Sequence, residues 1–80
     1  MDGRGLVNRI AEIRKTLGKT QAELAKAAGW RVSRIGNYEL GLRTPGLLES
    51  RCIVDALNSI GAKCSLEEVF PPVTNEILRS

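Results

Sequence analysis

The sequence predicts an all-α fold of five short helices, and three features of its 80 residues support this prediction. Apolar side chains recur at three- and four-residue spacing along most of the chain, as they do in amphipathic helices. Glycines stand where these runs break, at Gly18, Gly29, Gly41 and Gly61, and glycine readily adopts the left-handed conformation in which helices commonly end. The apolar fraction of 42% is enough for one compact bundle, whereas a chain this short leaves little room for a large core.

The first two helices are predicted from apolar spacing and from a capping pattern. The first covers Leu6–Leu17, whose aliphatic residues follow one another at 4-3-4 spacing before Gly18. The second covers Gln21–Ala28. Thr20 precedes it and Glu23 follows Thr20 by three residues, which is the pattern of a capping box.

Helices three and four are predicted on either side of a proline-containing loop. The third covers Val32–Leu40 and ends at Gly41. The loop is fixed by Thr44-Pro45, because the residue before a proline disfavours the helical conformation. The fourth helix, Leu47–Ile60, is the longest. The residues expected to share one side of it are Leu48, Cys52, Ala56 or Leu57, and Ile60.

A short fifth helix is predicted over Leu66–Phe70. Ser65 can cap its start, and Pro71-Pro72 stops it. We therefore expect one domain over residues 1–72, followed by a tail over residues 73–80.

Helices two and three have the pattern of a helix-turn-helix. Small or apolar residues line one side of the second helix, and Ala25 lets another helix cross it closely. Gly29 ends that helix, and Val32, Ile35 and Tyr38 then follow at three-residue spacing. In a helix-turn-helix the second helix can enter the major groove of DNA. This segment therefore predicts both a fold and a function.

The distribution of charge favours a polyanionic partner. The net charge is +3, but residues 1–45 carry nine lysines and arginines against four acids, a balance of +5. Residues 46–80 carry the opposite balance, −2. The basic half contains the helix-turn-helix, and neutralisation of phosphates supplies sequence-independent affinity for DNA.

Several other classes of protein are disfavoured by the composition. The chain has no histidine, no glycine-rich phosphate loop and no carboxylate pair placed against a nucleophile, so an enzyme is not expected. Cys52 and Cys64 lack zinc-site spacing and are expected to be buried thiols, with a disulfide or a redox role as the alternative. We expect no metal, cofactor, small-molecule ligand or membrane contact, and a soluble cytoplasmic protein.

The residues that carry a family resemblance are Gln21, Ala25, Gly29, Ile35, Gly41, Arg14 and Glu39. In combination they resemble the lambda-repressor-like helix-turn-helix family, the Cro and repressor type of phage and bacterial regulators. The resemblance extends from about Leu6 to Phe70. It implies a five-helix domain that binds a pseudo-palindromic DNA operator as a dimer near the bacterial nucleoid. It also implies a structural ion pair between Arg14 and Glu39.

The sequence departs from the family around the third helix. Arg31 takes the expected N-cap position, where serine or threonine would cap better. Val32 and Ser33 stand where glutamines are frequent in members that read A·T pairs. Leu42 replaces a frequent basic residue after the glycine. These departures leave the operator sequence open.

The start of the third helix provides the candidate base-reading residues. Arginine can bind guanine O6 and N7, asparagine can bind adenine N6 and N7, and valine can pack on a thymine methyl group. An arginine that only contacts phosphate is the alternative. Trp30, in the turn, is expected to pack in the core more readily than to stack on DNA, because a duplex presents no free base faces. The base-reading candidates are Arg31, Val32, Ser33, Arg34 and Asn37.

Candidate phosphate contacts flank the motif. Gln21 stands at the N-terminus of helix two, where backbone N–H groups favour an anion, and simple capping is its alternative. Arg43 and Thr44 lie in the loop after helix three, and Lys19 precedes helix two.

The C-terminal half is the expected dimer contact. Val73, Ile77 and Leu78 lie beyond the prolines, where a small domain could hardly bury them. Part of the fourth helix can join this contact, since the basic recognition half would repel its copy. A frayed tail with dimerisation only on DNA is the alternative.

A sequence-specific transcriptional regulator of double-stranded DNA is therefore the leading hypothesis, as a phage-type repressor or Cro-like homodimer. An antitoxin that also neutralises a toxin protein is the second hypothesis. A controller protein of a restriction-modification system is the third.

Overall fold

The computed structural model describes residues 8–71, and in that range it contains five α-helices and no strand. The helices are α1 (Ile10–Thr16), α2 (Gln21–Ala28), α3 (Val32–Leu40), α4 (Leu47–Ser59) and α5 (Leu66–Val69). The all-α prediction is confirmed, and α2 and α3 have the predicted bounds. Helices α4 and α5 each end one residue before the predicted position.

The predicted start of α1 is wrong, because Asn8 and Arg9 are not helical. The Asn8 side chain is buried, and its Oδ1 accepts a hydrogen bond from the Ile10 N–H at 3.1 Å. Its Nδ2 donates to the carbonyl of Tyr38 at 2.8 Å. The Asn8 side chain thus forms hydrogen bonds with backbone groups in place of a longer helix. The same side chain attaches the residues before α1 to α3. Leu6 lies outside the described residues.

The ends of α2 and α3 follow the local sequence closely. Thr20 and Glu23 form the predicted capping box, in which each side chain accepts a hydrogen bond from the other residue's backbone N–H. Gly29 and Gly41 end the two helices with φ of +76° and +78°. After Gly29, the Trp30 N–H donates to the carbonyl of Ala25 at 2.9 Å, which is the six-residue bond of a Schellman motif.

The core lies where α2 crosses α3 and α4. Leu24 and Ala25 of α2 are buried against the inner faces of both neighbours, and Val69 of α5 closes one side. The Arg9 N–H donates to the carbonyl of Val69 at 2.8 Å, so α1 and α5 are also connected. The buried apolar residues are Ile10, Leu24, Ala25, Ile35, Tyr38, Ile53, Val54, Ala56, Leu57 and Val69. In the described range no helix is long and apolar enough to cross a membrane.

The predicted inner side of α4 is wrong in its first half. Leu48 is 73% exposed and Cys52 is also exposed. The helix instead packs through Ser50, Ile53, Val54, Ala56 and Leu57. The predicted row is thus exposed at Leu48 and Cys52, whereas Ala56 farther along it is buried. The expectation of two buried thiols is therefore wrong for Cys52, while Cys64 is partly buried.

Candidate nucleic-acid interface

Helices α2 and α3 form a helix-turn-helix. Gly29 turns the chain, and Arg31 is extended, with φ of −78° and ψ of 152°, before α3 begins. The exposed Arg31 side chain makes no capping hydrogen bond, so its guanidinium is not used to start the helix. This turn presents the N-terminal end of α3 to solvent.

Helix α3 has one buried and one outward face. Ile35 and Tyr38 are buried, at 0% and 4% exposure. Residues on the opposite side are exposed or half-buried, with Val32 at 44% and Leu40 at 72%. We call this side the outward face of α3. It consists of Val32, Ser33, Gly36, Asn37 and Leu40.

Arg34 lies at the edge of this face and is held by other side chains. Its Cζ lies 4.1 Å from the centre of the Trp30 ring, a cation–π contact. Its Nε donates to the Tyr38 Oη at 3.2 Å, and its Nη2 lies 3.9 Å from Glu49 Oε2 of α4. The hypothesis that Arg34 reads a base stays a prediction, because its side chain is 40% exposed and these contacts would have to rearrange when it meets a base.

Trp30 packs inside the protein. Its ring meets the Tyr38 ring edge to face, with centroids 5.8 Å apart and an interplanar angle of 64°. It is partly buried against the core. The expectation of a packing role is confirmed, and the ring also supplies the surface on which Arg34 rests.

A buried polar network lies beside the N-terminus of α2. Arg14 Nε donates to Glu39 Oε2 at 2.7 Å, and Arg14 Nη2 donates to Glu39 Oε1 at 3.1 Å. The side chains are 9% and 5% exposed. The two hydrogen bonds from the guanidinium raise the pKa of Arg14, against the opposing effect of burial. The structure thus brings together the two residues expected to pair.

Gln21 belongs to the same network. Its Nε2 donates to Glu39 Oε1 at 2.9 Å. The expected phosphate contact of Gln21 would therefore have to use an amide that is already oriented by Glu39. A Cβ added to Gly36 would lie 3.7 Å from Gln21 Nε2, an ordinary van der Waals contact, so this position of α3 lies beside the start of α2 and has room for a small side chain.

The other candidate phosphate contacts lie at the two ends of the motif. The Lys19 carbonyl accepts a hydrogen bond from Arg14 Nη1 at 2.8 Å, which fixes the backbone before α2. The Arg43 N–H donates to the carbonyl of Asn37 at 3.3 Å, which folds the loop against α3. The side chains of Arg43 and Thr44 are exposed.

The helix-turn-helix family model matches residues 10–60, more than half of the chain. The chain belongs to this lambda-repressor-like helix-turn-helix family. Its members are DNA-binding regulators, so this helix-turn-helix protein is a DNA-binding transcriptional regulator in general terms. Comparison with curated proteins and with solved structures gives no match.

One feature of this helix-turn-helix protein was missed at the level of sequence. Four leucines between the end of α3 and the start of α4 are 61–73% exposed. They are Leu40, Leu42, Leu47 and Leu48. The available signal was their position, since Leu42 stands in a loop and Leu47 and Leu48 begin a helix before its core residues. A contiguous exposed apolar patch is typical of a protein contact, and Leu47 and Leu48 lie side by side at the start of α4, whereas Leu40 belongs to the outward face of α3. Among the described residues no acidic, histidine or cysteine cluster could hold a metal ion.

Proposed function

We propose that this protein is a sequence-specific repressor of the phage or Cro type, which binds a pseudo-palindromic operator as a homodimer. The outward face of α3 is the observation that carries the proposal. Val32 and Ser33 are exposed and Asn37 is half-buried, while Ile35 and Tyr38 fix the helix to the core. The Arg14–Glu39–Gln21 network fixes the start of α2 against α3. A recognition helix must be held rigidly and must present one uncovered face with polar side chains to the base edges of the major groove.

Selection of bound sites from a random duplex library, followed by titration of a selected site, tests this function. We expect preferential binding to the selected site. The affinity should fall steeply as the salt concentration rises, because Arg43, Lys19 and neighbouring basic side chains displace counterions from phosphates. Equal binding of selected and random duplexes would remove the proposed function. Arg51→Ala removes one positive charge on α4, outside the motif. It is the charge control whose affinity for the selected site is compared with that of Arg43→Ala.

We place the second copy on the start of α4 together with the C-terminal tail. Exposure of Leu47 and Leu48 supports this placement, and the acidic balance of residues 46–80 reduces repulsion between copies. Val73, Ile77 and Leu78 of the tail lie outside the described residues. The boundary between a domain over residues 1–72 and a tail over residues 73–80 belongs to the same proposal.

Sedimentation of three proteins at tens of micromolar tests this placement. They are the full chain, a chain that ends at Pro72, and the double variant Leu47→Ser/Leu48→Ser. A dimer weakened by both changes supports the proposal. If all three proteins sediment alike, neither segment forms the dimer contact.

The exposed leucines also favour one alternative partner. In an antitoxin the same surface would bind a toxin protein instead of a second copy. A toxin-sized gene beside this one, and a toxin that competes with dimerisation, would support that alternative. A neighbouring methyltransferase or endonuclease gene would instead support a restriction-modification controller.

A further inference from the structure

The outward face of α3 has no charged side chain. Val32, Ser33, Asn37 and Leu40 surround Gly36, and the acidic residue of the helix, Glu39, is turned inward to Arg14. An uncharged face limits which base edges this helix can recognise.

The arginines beside this face are not equivalent. Arg34 is engaged by the Trp30 ring, by the Tyr38 hydroxyl and by the Glu49 carboxylate. Arg31 is exposed at the N-cap. Guanine presents two acceptors, O6 and N7, and is read best by the paired donors of an arginine. Reading of guanine is therefore confined to the Arg31 end of the helix.

The remaining side chains fit A·T pairs. The methyl groups of Val32 match the 5-methyl group of thymine, and the Asn37 amide matches the donor and acceptor of adenine. The two residues are five positions apart, which is about 7.5 Å along a helix axis. Around the axis they are about 140° apart, so they lie at the two edges of the outward face, and a helix laid along the groove would bring them to bases about two steps of 3.4 Å apart.

We infer that the half-site has an A·T centre, in which Val32 packs on a thymine methyl group and Asn37 binds an adenine about two base pairs away. This inference rests on the proposed function and specifies its DNA target. Arg34 holds α3 against α4 and does not contribute to the choice of base.

Replacement of single thymines by deoxyuridine in a selected operator tests the inference, because this change removes only the 5-methyl group. We expect one thymine in each half-site whose replacement weakens wild-type binding about fourfold, the value of one buried methyl-sized group. Val32→Ala should reduce the difference between thymine and deoxyuridine duplexes, because its single methyl group reaches less far toward the thymine methyl group. Val32→Thr, which keeps one methyl group, should retain part of the difference.

Replacement of adenines by 7-deazaadenine gives an independent second measurement. The sensitive adenine should lie about two base pairs from the sensitive thymine, and Asn37→Ala should lose that sensitivity. Because Val32 is 44% exposed, its variants should fold, and their circular dichroism and melting check this.

Two outcomes separate this inference from the proposed function. Specific binding to a half-site with a G·C centre, or to one insensitive to deoxyuridine, would overturn the inference and leave the regulator function in place. Failure to select any site would remove the function, and the inference with it. The inference would also be overturned if Arg34→Ala lost its discrimination of guanine from other bases while its stability was unchanged.

Discussion

Removal of the Glu39 carboxylate should strongly destabilise the protein. In Glu39→Ala the Arg14 guanidinium, whose side chain is 9% exposed, loses both of its hydrogen bonds to Glu39, and Gln21 loses its acceptor. Removal of one partner from a buried ion pair costs about 3–5 kcal/mol, because the remaining charge stays buried without compensation. A domain of this length has a total stability of roughly 4–12 kcal/mol. The loss would therefore be at least about a quarter of the total stability, and at the low end of that range nearly all of it.

Thermal melting followed by circular dichroism measures this loss. For a domain of this size each kcal/mol lowers Tm by roughly 4–8 °C, so we expect Glu39→Ala to melt roughly 12–40 °C below the wild type or to be unfolded at the start. Glu39→Gln keeps one of the two oxygen acceptors and replaces the other with an NH2 group, so it should lose less stability than Glu39→Ala. The double variant Arg14→Met/Glu39→Met removes both charges and should recover most of the stability, since apolar replacement of a buried pair is often neutral.

The exposed pair on α1 provides the matched control. Arg9 and Glu12 lie 3.4 Å apart with side chains 47% and 55% exposed. An exposed pair contributes about 0–1 kcal/mol, so Glu12→Ala should melt close to the wild type. If Glu39→Ala melts as high as Glu12→Ala, the pair between α1 and α3 does not have the energetic role argued from its burial.

The remaining predictions concern the two arginines, one carboxylate and the thiols. Arg34→Ala should lower stability by about 1 kcal/mol through the lost cation–π contact, whereas Arg31→Ala should leave melting unchanged and weaken specific DNA binding; the reverse pattern in melts and titrations would contradict the structure. The Thr20 backbone N–H donates to the Glu23 carboxylate and lowers the pKa of that carboxyl. The contribution of Glu23 to stability is therefore present above the ordinary pKa near 4.5 and is lost as pH falls through the lowered pKa. Glu23→Gln should therefore flatten part of the acid limb of stability, and an unchanged limb would argue against this. Burial raises the pKa of Cys64, so at pH 8 iodoacetamide should modify exposed Cys52 first, as followed by mass spectrometry with Cys52→Ser as control. Equal rates would show that Cys64 is not protected.

Local sequence signals predicted the helix-turn-helix to the residue. The capping box at Thr20 and Glu23 and the glycines that end α2 and α3 are satisfied by bonds within a few residues. Such signals do not depend on distant neighbours, so they can be interpreted without a structure. The prediction of the start of α1 was wrong because it depends on a distant neighbour. The buried Asn8 side chain bonds to Tyr38, thirty residues away, and that partner could not be inferred from spacing.

The sequence by itself thus determined the helices of the motif and their ends. Only the tertiary structure decided the surroundings of the Arg34 side chain and the side of α4 that is buried. The Arg34 guanidinium lies over the Trp30 ring and 3.9 Å from Glu49 of α4, and neither neighbour could be inferred from the spacing of Arg34 in the sequence. Helix α4 begins with two leucines, and packing against α2 buries the side that contains Ile53 while Leu48 remains exposed. The physical reason is that a helix forms through bonds within a few residues, whereas the burial of a side chain depends on which distant surface covers it.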